Sequence, residues 1–218
     1  TINAPEIRMR NSEIYATGTL AVSMIYPDDS ECETARVKFE NCVWVCRMLM
    51  MAGRASQTQL EVELLRNTAV CRSLLRIPRA SPKVTVRAER NVFDCLQAVL
   101  FTQPGGGLAR RMTWHDHSNL YAIDVDYWAP APNRARYTLE DWLAYWKVST
   151  PKESIAVENT GLREVFDEDT VASDEWKAAH AELSAPLRQK HPGVGVDTSR
   201  LGLMTGNWAK FLENTSVE

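Results

Sequence analysis

Several things are scarce or missing in this chain, and each absence narrows what it can be. No apolar run among its 218 residues is long enough to span a bilayer as a helix. The opening TINAPEIRMRNSE carries no apolar core of the secretory-signal kind. Cysteine is sparse and odd in number: Cys32, Cys42, Cys46, Cys71 and Cys95, with no CxxC pair. That argues against a disulfide framework or a zinc site and predicts buried free thiols in a reducing compartment. Positive charge is not in excess, since 25 Lys and Arg face 28 Asp and Glu for a net charge of −3. A nucleic-acid binder working by bulk charge is excluded, but one that grips a few phosphates is not. The GxSxG, P-loop and Rossmann patterns are missing, and Gly105-Gly106-Gly107 is not followed by GK[ST]. The sequence therefore predicts no enzyme and no cofactor. It shows no internal repeat and no low-complexity block.

What is there is a chain with 44% hydrophobic residues, organised around Ser81–Arg111. Val84, Thr85 and Val86 behind a proline predict a strand. Val92, Leu96, Val99 and Leu100 predict a helix after it, which Gln103-Pro104-Gly105 ends. Arg110 and Arg111 follow as a phosphate grip. Upstream, a helix starting at Pro27-Asp28-Asp29-Ser30 has Ala35, Phe39, Cys42, Val43, Cys46, Leu49 and Met50 on one face. A second helix begins at Gln57-Thr58-Gln59, shows Leu60, Leu64, Cys71, Leu74 and Leu75, and stops before Pro78. Downstream, Tyr121, Ile123, Val125 and Tyr127 alternate as in a strand. Thr138 caps a short helix with Leu139, Trp142, Leu143 and Trp146 inward. The acids from Asp167 lead into a helix that Pro186 ends or kinks.

The expected class is mostly α: a four-helix bundle with a small β element, an α/β insertion and a C-terminal extension. Its parts are an N-terminal arm (1–29), three bundle helices with a connecting strand (30–111), the insertion (112–154), the fourth helix (155–190) and the extension (191–218). Arg90 and Asp94, four apart on the third helix, can pair on its surface or fix which arginine faces a phosphate. Two competing readings come from the residues alone. One is a helix-turn-helix DNA binder reading with Arg66 and Arg72, although Leu64-Leu65-Arg66 offers no turn. The other is a metal site on His115 and His117, which lacks a fixed third ligand.

Several motifs, in order, resemble the coat proteins of rod-shaped plant RNA viruses of the tobamovirus kind. They are Gly53-Arg54-Ala55-Ser56-Gln57-Thr58-Gln59, Ser81-Pro82-Lys83-Val84-Thr85-Val86-Arg87, Val92-Phe93-Asp94-Cys95-Leu96, Arg110-Arg111, Val157-Glu158-Asn159 and Asp167–Ala172. Arg90-x-x-Phe93-Asp94 is also similar to a core motif of flexuous filamentous coat proteins. The resemblance implies a self-assembling helical capsid, found in the virion and the host cytoplasm, with single-stranded RNA between subunits and no membrane. It places Thr58 and Gln59 at the RNA border, Arg110 and Arg111 on phosphates, and Asp167 and Glu168 near the sugars. Val62 stands where that family has an arginine, and Arg66 lies further on. A structural subunit of a phage particle or of a non-viral filament is the milder alternative.

Overall fold

TARVKFE, QLEVELL and KVTVRAE each alternate polar and apolar residues, and each alternation is realised as a strand with its apolar side chains inward. The structure, a computed structural model, describes residues 6–23, 34–52, 59–77, 83–101, 111–129, 138–146, 154–162 and 183–201. Its strands come in pairs. β1 (Glu6–Arg10) and β2 (Glu13–Ser23) make the first pair, β3 (Thr34–Glu40) and β4 (Val43–Met51) the second. β5 (Gln59–Leu65) and β6 (Thr68–Ile77), β7 (Lys83–Glu89) and β8 (Val92–Phe101), and β9 (Met112–His117) and β10 (Leu120–Ala129) follow. The first member of every pair joins one parallel sheet, β1-β3-β5-β7-β9. The second joins another, and β11 (Ile155–Ala156) extends that sheet beside β10. Each pair is thus one coil of a parallel β-solenoid, in which every coil stacks on its neighbours about 4.8 Å away.

The two residues between paired strands make the corner. The first is left-handed in each coil: Asn11, Asn41, Arg66, Arg90 and Ser118 have φ between 51° and 55°. Asparagine tolerates that region, but arginine rarely does, so only part of the column is signed by composition. The second corner residue builds a ladder. Asn67 donates to Phe39 O, and its backbone N–H and side-chain amide both reach Asn91 Oδ1 at 2.9 and 3.0 Å. Asn91 repeats the pattern on Leu64 O and Asn119 Oδ1, and Asn119 N–H donates to Ser154 Oγ at 2.9 Å. The three asparagines are buried. Their amides satisfy backbone groups that the corner removes from the sheets.

Inside, apolar side chains of successive coils stack in columns. Val37, Val62, Val86 and Trp114 form one column, and Trp44, Ala69, Phe93 and Tyr121 another. Cys46, Cys71 and Cys95 form a third, and all three thiols are buried and free, as is Cys42. The last coil is closed by polarity and aromatics. Asp116 accepts from Trp114 Nε1 and Asn119 Nδ2, each at 3.0 Å, and from Tyr121 OH and Ser154 Oγ. Helix α1 (Leu139–Tyr145) then lays Trp142 on Trp114, ring centroids 5.5 Å apart, and Trp146 on Trp142 at 5.3 Å. A solenoid needs such a cap over its last apolar layer.

A second apolar cluster lies on the outer side of the second sheet. Val43, Val45, Val70, Val92 and Leu120 are covered by Leu162, Leu183 and Leu201. Helix α2 (Ala185–Lys190) and a 3-10 turn (Thr198–Arg200) belong to this covering strap.

The four-helix bundle is therefore overturned. The three segments expected as its first helices, from 30, 57 and 90, hold strands β3 to β6 and β8. The helical stripe through Leu60, Leu64 and Cys71 passes over Val62, which completes a strict alternation in β5. The corners Arg66-Asn67 and Arg90-Asn91 contain neither glycine nor proline, so they read as helix interior. The helix-turn-helix reading falls with the second helix. The missing repeat is present after all: corner residues recur at separations of 30, 25, 24 and 28. Their spacing varies because the number of residues between one described coil and the next varies, which hides the period. Residues 6–23, expected as an arm, supply the first coil, and 112–129 supply the fifth. The strands at 84–86 and 121–127 and the Thr138 cap were legible, and Asp141 completes that cap as a capping box. Pro186 starts a helix rather than ending one, since it sits in the first turn of α2. The expected helix from Asp167 lies largely outside the described residues.

Candidate binding face on the first sheet

In a strand buried on one side, every second residue faces out. The first sheet therefore presents rows that run along the solenoid axis. One row is Arg8, Lys38, Glu63, Arg87 and His115; its neighbours are Glu6, Arg36, Glu61, Thr85 and Thr113, and Arg10, Glu40, Leu65, Glu89 and His117. Over the first three coils the charges neutralise one another. Arg36 meets Glu61 at 3.1 Å, Lys38 meets Glu63 at 3.0 Å, Arg10 meets Glu40 at 3.1 Å, and Arg8 meets Glu6 at 2.7 Å. Such exposed pairs are worth about 0–1 kcal/mol each, so they tune the surface more than they hold the fold.

The fourth and fifth coils differ. Lys83, Thr85 and Arg87 point outward from β7, with Thr113 and His115 beside them on β9. Among the described residues, Lys83, Arg87 and His115 have no carboxylate within ion-pairing distance. Glu89 serves Arg90 at 3.7 Å and His117 at 4.0 Å. A groove of about 550 Å³ crosses β1, β3, β5 and β7, and a recess of about 470 Å³ continues it to β9. Glu63 and Arg87 line both. The face is a track with a neutralised half and a cationic half.

Of the described residues expected to bind RNA, one, Gln59, lies on this sheet, beside Lys83. Gln59 opens β5 and is exposed. Arg66 and Arg90 are neighbouring corner residues, and Arg90 pairs with Glu89 rather than Asp94. Asp94 is 1% exposed on the second sheet, where Thr160 Oγ1 donates to it. Arg111 directly precedes β9. Thr58, Arg110, Asp167 and Glu168 lie outside the described residues. His115 and His117 do share a face of β9 and line the same recess. Among the described residues, however, no group of three His, Cys, Asp or Glu side chains is placed to hold a metal. His191 lines a different cleft.

Comparisons with protein-family models, with curated proteins and with solved structures were made on the whole chain. None of them finds a match. The resemblance to rod-shaped coat proteins thus has no support beyond its short motifs, and those of them that fall on described residues lie mostly in strands rather than bundle helices. The Lys83-x-Thr85-x-Arg87 spacing was visible in the segment singled out from the sequence. Its meaning depended on reading the segment's neighbours as strands.

Proposed function

We propose that the chain is a solenoid binding module whose first sheet holds an extended anionic polymer, an acidic polysaccharide, along the solenoid axis. The observation that carries this reading is the outward set Lys83, Arg87 and His115, none of them ion-paired among the described residues, with Arg87 and His115 lining the recess that continues a groove crossing several coils. Desolvated guanidinium and ammonium groups gain most from carboxylate or sulfate oxygens, and Arg87 suits a two-point grip. The rows repeat about every 4.8 Å along the axis, a spacing a regular polymer can follow over several coils. The described outward positions of this sheet hold no Phe, Tyr or Trp, which favours charge recognition over base stacking.

Calorimetric titration with polygalacturonate, dextran and polyuridylate tests it. Expected are saturable, salt-sensitive binding of polygalacturonate, none of dextran, and a loss of about tenfold in Arg87→Ala, one charge-assisted contact's worth. Arg36→Ala, within the neutralised half, is expected to change little. Equal binding of dextran, or wild-type affinity in Arg87→Ala, defeats the proposal. Clear preference for polyuridylate would favour the RNA-packaging expectation instead.

A further inference from the structure

The recess at the β9 end of the first sheet holds more titratable groups than a track of fixed charge needs. Glu63, Arg87, Glu89, His115, Asp116 and His117 line it. Its acids are already engaged. Glu63 pairs with Lys38 at 3.0 Å and Glu89 with Arg90 at 3.7 Å. Asp116 accepts from Trp114, Asn119, Tyr121 and Ser154. With Lys38 and Arg90 set against their own acids, the charges left are those of Arg87 and Asp116, which balance while both imidazoles are neutral. Whether this end is cationic therefore rests on the two histidines.

His115 lies in register with Arg87 of β7, and both face outward. His117 follows on the same face of β9, in register with Glu89. Its side chain is 45% exposed, with Nδ1 4.0 Å from Glu89 Oε1 and 3.3 Å from Ser118 Oγ. Among the described residues, the charged groups lining the recess with these rings are Arg87 and Glu89 of β7, Glu63 of β5 and Asp116 of their own strand. Both rings reach solvent, and imidazole takes up a proton at about pH 6.5.

We infer that His115 and His117 make the grip on the anionic polymer proton-dependent, weak while both rings are neutral and tight once both are charged. The inference rests on the polymer reading and deepens it. Two added charges on neighbouring rows turn a balanced recess cationic beside Arg87, and a concave site concentrates the field that an anion meets. The coupling is reciprocal, so a polymer that prefers the protonated rings brings protons with it when it binds.

The test is titration calorimetry of the full chain with dextran sulfate, whose sulfate esters stay ionised throughout, at about pH 8 and about pH 5.5 with EDTA present. Expected is saturable binding at both, about tenfold tighter at the lower pH, as two exposed charge contacts would give. At intermediate pH, buffers of different ionisation enthalpy should reveal proton uptake on binding. The His115→Gln/His117→Gln double variant should bind at either pH as the wild type does at the higher one, and both positions are surface-facing, so it is expected to fold. His191→Gln, on the strap, should keep the wild-type pH dependence. Absence of binding at both pH values defeats the polymer reading and this inference with it. Binding of equal strength at both, or a pH dependence that survives in the double variant, overturns this inference and leaves the polymer reading standing.

Discussion

Asn41 and Asp197, 156 residues apart, are joined as two paired strands would be. The Asp197 N–H donates to Asn41 Oδ1 at 2.6 Å, and Asn41 Nδ2 donates to Asp197 O at 3.1 Å. A side-chain amide thus stands in for a peptide group and ties the strap to a corner. The strap also meets the next two coils, with Val196 N–H on Thr68 Oγ1 at 3.1 Å and Gly195 N–H on Arg90 O at 2.8 Å. The outer apolar cluster depends on this seam.

Gly195 is the tightest point of the seam. Its φ is +80°, and an added Cβ would lie 2.8 Å from Val92 Cγ2 and 3.2 Å from Thr68 Oγ1. Gly195→Ala is expected to cost about 1–3 kcal/mol. Limited proteolysis should then cut within residues 183–201 while the coils resist.

The asparagine ladder should be the most sensitive polar element. Asn91→Ala removes the acceptor of the Asn67 N–H and a donor to Asn119, all within the buried corner. A destabilisation of about 2–4 kcal/mol is expected in urea unfolding. Ser12→Ala, at the equivalent place in the first coil but outside the asparagine ladder, should cost far less.

Acid should release the strap in two steps. Burial, helped by Lys190, holds His191 below its ordinary value of 6.5. The unfolded chain then binds this proton more readily, so stability is full above pH 6.5 and falls as the pH drops towards the native value. Asp197 is held below 3.8 chiefly by the Ser199 hydroxyl, so its contribution is present above that pH and is lost further down. Protection of the Gly195 and Asp197 amides, measured against the intrinsic exchange rate at each pH, should fall in both windows, and His191→Gln should remove the upper one.

The thiols inside should be inert. Burial raises Cys42 and Cys71, and contact with Cys71 followed by burial raises Cys46, so thiolate is scarce. Iodoacetamide should leave these three unlabelled in the native protein and label them in urea, as peptide mass spectrometry would read.

Parts of this fold could be read without coordinates because they depend on neighbours in the chain. The strand behind Pro82 in KVTVRAE, the Thr138 cap and the burial of Cys42, Cys46, Cys71 and Cys95 are of that kind. The helices expected for residues 30–103 failed where alternation and helical spacing select overlapping residues. Leu60 and Leu64 satisfy both periods, and only Val62 separates them. The corners gave no local sign either, since Arg66 and Arg90 occupy left-handed positions that glycine usually marks.

The sequence by itself determined which side chains each strand turns inward, because a period of two needs nothing beyond the strand. Tertiary structure alone decided that the strands are parallel and coiled, since an asparagine amide is satisfied only by the coils on either side, 24 to 28 residues away. It likewise decided which cations keep a free charge. Lys38 and Arg87 are both outward-facing cations on alternating strands and both flank Glu63 in the stack, but Glu63 pairs with Lys38 at 3.0 Å and not with Arg87. Charge balance on a solenoid is set across coils, at separations the local pattern does not encode.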